Sequence, residues 1–208
     1  MTTATSTPTV ALKRRTIDLV LIGFGVVATA VFAVAGGLLT WGNGFSDDYV
    51  TRELSSQNIS FPSAEKLTEE GRTDLLGFAG ERLVTGSGAE AYASYINGHL
   101  EEIADGATYA DMGATESAAK AEVTAAKDAG QTQAEIDALQ SKADGISGQR
   151  NSLFKGETLR GLLLSAYAWS TVGTIAGVAA IGAFIAALIM AILVVLGVIH
   201  YRKTSATS

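Results

Sequence analysis

The chain has 208 residues, 48% of them apolar and only 17% charged, with a formal net charge of −6. Cysteine is absent and histidine occurs only at His99 and His200, which excludes disulfides, thiolate metal sites and an acylated-cysteine anchor and argues against histidine-rich metal centres. The negative balance argues against nucleic acid as a partner.

Charge is distributed in three parts. No charged residue lies between Asp18 and Asp47, a run of 28, or between Arg160 and Arg202, a run of 41. The segment from Asp47 to Arg160 holds 20 of the 21 acids and 10 of the 15 bases. The first run contains Leu19–Trp41, whose 23 residues make about 35 Å of helix, enough to cross a bilayer core of about 30 Å. A cleaved signal peptide is the competing reading, with Ala33-Val34-Ala35 as its cleavage site. The apolar stretch before that site, Leu19–Ala35, is 17 residues long and continues past it to Trp41, longer than the usual 7–15, so an uncleaved span is favoured.

Beyond the first span, Ser46-Asp47-Asp48 reads as an N-cap with an acidic first turn. Ile59-Ser60-Phe61-Pro62 is the only extended piece, held to a loop or an edge by Pro62. A helical pattern interrupted by glycines covers Glu65–Val84. Ser87-x-x-Glu90 reads as a capping box opening an amphipathic helix through Tyr92, Tyr95, Ile96, His99, Leu100 and Ile103. The composition then shifts. Residues 45–113 carry 19 large apolar side chains, whereas 114–148 carry only Val123, Ile136, Leu139 and Ile146. That Ala-rich stretch has high helix propensity and little to bury, and reads as an exposed helical hairpin broken at Gly130. A partly disordered insertion is the alternative.

The second uncharged run, 161–201, would make about 61 Å of helix, more than a membrane takes. Val172–Ile199 is assigned as the second span, with Gly161–Ser170 above or along the outer surface and a bend at Gly173 or Gly177. Lys13, Arg14 and Arg15 abut the first span, and Arg202 and Lys203 the second, which places both termini in the cytoplasm. Trp41 and Trp169 fall near the outer span ends, where indoles favour the interface. The expected fold is all-α: two transmembrane helices flanking a small, mostly helical extracytoplasmic domain. The domains are 1–18 cytoplasmic, 19–41 span, 42–171 extracytoplasmic with the insertion at 114–148, 172–199 span and 200–208 cytoplasmic. The lipid bilayer is the first expected partner.

No catalytic set converges. His99 and His200 are assigned to opposite sides of the membrane, so they share no metal, and a facial triad needs two histidines and a carboxylate. Gly86-Ser87-Gly88 lacks a phosphate-binding lysine, and no G-x-S-x-G elbow occurs. Neither an enzyme nor a cofactor is expected. Small residues recur every four positions at Gly25, Thr29, Ala33 and Gly37, and at Ala179, Ala183, Ala187 and Ala191, ridges that let helices approach closely. Whether they face each other or a partner is left open by periodicity. Leu159 and Leu162 are assigned to an outer docking surface. Leu75, Leu76, Phe78, Tyr92, Tyr95 and Ile96 form either an ordinary core or a ligand pocket.

Two patches carry a family resemblance: Glu53–Pro62 followed by Gly71-Arg72-Thr73-Asp74-Leu75-Leu76 and Phe78-Ala79-Gly80, and Leu153–Leu164 followed by Ala166-Tyr167-Ala168-Trp169. Ala89–Ala93, His99-Leu100 and Thr108-Tyr109-Ala110 also fit. Together they resemble a family of actinobacterial two-span membrane proteins often labelled aromatic ring-opening dioxygenases; residues 114–148 depart from it. The scarcity of histidine disagrees with that label. The resemblance implies instead an accessory subunit, without cofactors, of the cytochrome bcc–aa3 respiratory supercomplex, with cytochrome bc and oxidase subunits as integral membrane partners. The alternative is an independent envelope protein that binds a small ligand or assists assembly.

Overall fold

The computed structural model describes residues 14–205. Among these the chain is all-helical: α1 Arg14–Ser56, α2 Ala64–Glu69, a 3₁₀ turn Thr73–Phe78, α3 Gly86–Ile103, α4 Tyr109–Asp128 and α5 Gln133–Ser205. An antiparallel bridge, Ser60 to Arg82, is the extended feature at the piece anticipated around Ile59–Pro62. Phe61 N–H donates to Glu81 O and Leu83 N–H to Ile59 O, both at 2.9 Å. The chain divides into two compact units, one made of the residues up to Phe45 and from Gly173, the other of Ser46–Val172.

In the first unit α1 and α5 run antiparallel. Arg15 lies 5.5 Å over the Tyr201 ring at one end, and Asn43 Nδ2 donates to Gly173 O at 2.9 Å at the other. Among the partly or fully buried positions of α1, Asp18, Ile22, Gly25, Thr29, Gly36, Leu39 and Asn43 are separated by three, four or seven residues, as along a coiled-coil seam. Both helices are long and apolar enough to cross a membrane. Only 11% of the most apolar stretch of either is buried, unlike the core helix of a soluble protein. Lys13 lies outside the described residues.

In the second unit the core forms three clusters. Val50, Leu54, Phe61, Leu83, Ala89, Ala93 and Leu163 make the first, with Phe61 stacked on Phe78 and edge-on to Tyr92, each at 5.1 Å. Leu100, Met112 and Leu153 make the second, and Ala119, Val123 and Ala143 the third, between α4 and the start of α5. Helix α3 packs antiparallel on α5 because glycines yield the space. A Cβ at Gly86 would collide with Ser170, and one at Gly156 with Leu100.

Three local expectations are corrected. Ser46 is not an N-cap, because α1 continues to Ser56; it is buried in mid-helix, and its hydroxyl donates to Trp169 O at 2.5 Å. Asp47 and Asp48 therefore lie inside a helix rather than in a first turn. The cap of α3 is Thr85, whose hydroxyl accepts from Gly88 N–H, so the Ser87–Glu90 box does not open the helix. Gly173 and Gly177 remain helical within α5, where Gly177 admits the Asn43 amide, 3.2 Å from where its Cβ would stand.

The Ala-rich stretch folds as a helical hairpin. Helix α4 opens with a Thr108/Asp111 capping box and ends at Gly130, whose φ of +67° suits glycine. Gln131 N–H returns to Ala126 O, closing a Schellman-type end. Thr132 and Glu135 then start α5 with reciprocal side-chain to backbone bonds. The second arm is not a separate helix but the first turns of α5.

Candidate helix-packing and docking surfaces

The four-residue ridge on α1 divides between two faces. A step of four residues turns about 40° beyond a full circle, so three steps leave the face they began on. Gly25 looks into α5, where an added Cβ would stand 2.6 Å from Val194 Cγ2. Thr29 is half-buried beside it, and its hydroxyl donates back to Gly25 O at 2.8 Å. Ala33 and Gly37 are exposed, with nothing within 4 Å of a Cβ at Gly37. The close approach further along comes instead from Gly36, where a Cβ would stand 2.9 Å from Phe184. On α5, Ala187 is buried, Ala183 and Ala191 are half-buried, and Ala179 is exposed. Asn43 supplies an inter-helix polar bond that counting small residues missed; its sequence signal is an amide inside an uncharged run.

Leu159 and Leu162 lie in the second unit, 37% and 65% exposed. They flank a cavity of about 290 Å³ whose walls include Tyr49, Leu54, Leu163 and Trp169. Its sides come from the last turns of α1 and from α5. Its surface is mainly aliphatic and aromatic, with Glu53, Gln57 and Ser165 as the polar additions. Such a surface is complementary in character to an apolar segment or chain.

The residues weighed as a ligand pocket pack chiefly as core. Leu75 is buried, Phe78, Tyr92 and Ile96 lie against the first cluster, and Leu76 points outward. The Tyr95 hydroxyl is pushed up to about 12 by burial and by the Glu70 carboxylate beside it. His99 sits edge-on to Tyr95 at 4.6 Å and 3.8 Å from Glu102. The cavity among these groups is about 30 Å³, about the share of one water and too small for a substrate. Arg72 ties the 3₁₀ turn to α3: Nε and Nη2 donate to the two Asp74 oxygens at 3.0 and 2.8 Å, and Nη1 donates to Ser94 O at 2.9 Å. The Asp74 bond raises Arg72 and lowers Asp74 from their ordinary values.

The hairpin carries the most heavily bonded carboxylate. Glu116 accepts from Lys120 Nζ at 2.6 Å, Ser147 Oγ at 2.7 Å and Arg150 Nη1 at 2.7 Å. These donors, Lys120 first, hold it down to about 2. Arg150 also lies 4.3 Å from the Tyr109 ring centre. The constellation joins α4 to α5 and occupies its own donors and acceptors, the work of a structural lock. Among the described residues no three His, Asp or Glu side chains converge as a metal site requires.

Neither a family model, nor a curated protein, nor a solved structure matches the chain.

Proposed function

We propose that this chain is a two-pass plasma-membrane protein serving as a non-catalytic accessory subunit of a membrane complex, with both termini cytoplasmic and residues 42–171 outside. The observation that carries the reading is the apolar cavity beside Leu159 and Leu162, with the largely exposed Leu162 and Trp169 at its edge. An exposed apolar patch with no reacting groups is the signature of a surface that docks. The exposed flanks of α1 and α5 meet lipid or partner helices in the same reading. The family resemblance of Glu53–Pro62 and Leu153–Leu164 directs it to the cytochrome bcc–aa3 supercomplex.

The test is extraction of a tagged copy from its native membrane in mild detergent, with haem absorbance and co-purifying subunits read together. Stoichiometric cytochrome subunits support the reading, and Leu162→Asp should release them. Since Leu162 is largely exposed, that change leaves the fold intact. A clean monomer or homodimer without haem overturns the reading and favours an independent envelope protein. Unchanged co-purification of Leu162→Asp rejects this docking surface.

A further inference from the structure

The paired-helix unit contains a cavity of about 310 Å³ with a polar end and an apolar body. Asp18 and His200 supply the polar end. Leu21, Phe24, Met190 and Leu193 line the body, beside Gly25 and Gly197. Helix register explains the juxtaposition. Arg15 meets Tyr201, a Cβ at Gly197 would stand 3.2 Å from Ile22, and one at Gly25 would stand 2.6 Å from Val194. Asp18 lies between Arg15 and Ile22 on one helix, and His200 between Gly197 and Tyr201 on the other. Both therefore reach the same opening. The glycines allow the backbones to approach, and their missing side chains leave room beside the contact.

The geometry points to a binding site for a neutral, ring-headed amphiphile bearing hydroxyl donors, the class of the isoprenoid hydroquinones. An ionised carboxylate is an acceptor only, and an imidazole both donates and accepts. Together they match a head that carries a hydroxyl and a second oxygen. Asp18 repels a phosphate head, and among the described residues no lysine or arginine lines the cavity to offset that repulsion. The apolar walls continue from the polar end towards Gly25, about 10 Å along α1, which suits a ring and the start of a hydrocarbon tail. The volume lies at the lower bound of small-molecule sites, about 300 Å³. The inference concerns binding alone, and uses the paired spans without requiring that the chain join a larger complex.

The experiment uses the full chain in phosphatidylcholine nanodiscs and a benzohydroquinone with a diazirine one carbon from the ring. After irradiation under argon, adducts are mapped by mass spectrometry. Labelling is expected on residues 18–25 and 190–200, suppressed by unlabelled decylhydroquinone and not by its dimethyl ether, which has lost the donors. Asp18→Asn should weaken decylhydroquinone competition about tenfold, the scale of one charge-assisted hydrogen bond. Leu193→Trp, at a largely exposed wall position, should abolish labelling by filling the body even if Asp18→Asn fails to assemble. Labelling spread evenly over lipid-facing Val178, Ile181 and Ile185 overturns the site. Equal competition by the dimethyl ether also overturns it, reducing the cavity to a cleft for any chain. So does competition by phosphatidylglycerol without competition by decylhydroquinone, which would assign it to a lipid headgroup.

Discussion

Glu116 shows how one carboxylate organises the Ala-rich hairpin. Its folded value of about 2 lies below the ordinary 4.5, so protonation is easier in the unfolded chain than in the folded one. Its contribution is therefore fully present above 4.5 and lost as pH falls from 4.5 towards 2. The protection of α4 amides, taken relative to the intrinsic exchange rate at each pH, should fall across that window in the native protein. Glu116→Gln should exchange faster at neutral pH and lose most of the change within the window; an unchanged profile would remove Glu116 from the lock. Leu67 tests the apolar core at the same scale. It is fully buried on the short helix α2, and Leu67→Ala should cost about 2–5 kcal/mol, seen as a lowered melting temperature.

The antiparallel pair formed by α1 and α5 depends on which small residues face inward. Gly25→Leu forces a side chain into Val194, and Gly36→Leu into the Phe184 ring, whereas Gly37→Leu meets open space. The absence of native cysteine allows a clean readout from the double variant Ile22→Cys with Gly197→Cys. Thiol crosslinking of that pair should fall in the Gly25→Leu and Gly36→Leu backgrounds and persist with Gly37→Leu. Equal loss in all three would mean that the pair does not use the register described. Asn43 adds a polar bond to the same interface, worth about 0.6 kcal/mol by the usual magnitude for such bonds in membranes.

For the whole molecule, the charge pattern makes a testable statement about topology. Basic residues close both outer flanks of the uncharged runs, while the segment between the runs carries nearly all the acids. In intact cells stripped of any outer wall barrier, a membrane-impermeant maleimide should label Asp105→Cys, in the loop between α3 and α4, and spare Ser208→Cys until the cells are lysed. The reverse pattern would invert the orientation, and labelling of both positions would reject two crossings.

Run length and charge were enough to identify two long apolar helices, because a helix advances a constant rise per residue and lipid-compatible length is a property of the chain alone. Composition likewise marked the hairpin, with its break at Gly130. Tertiary structure decided the faces and the ends. In spans rich in Gly and Ala, several small-residue ridges coexist, and only packing selects the three-and-four alternation through Gly25 and Gly36 over the ridge through Ala33 and Gly37. Ser46 looked like a cap because charge begins there. A change of polarity does not stop a helix, however, and the carbonyl of Trp169, distant in sequence, gives that hydroxyl its partner. The cavity shared by Asp18 and His200 was invisible for the same reason: the two residues are separated by almost the whole chain and meet only through the antiparallel register of two helices.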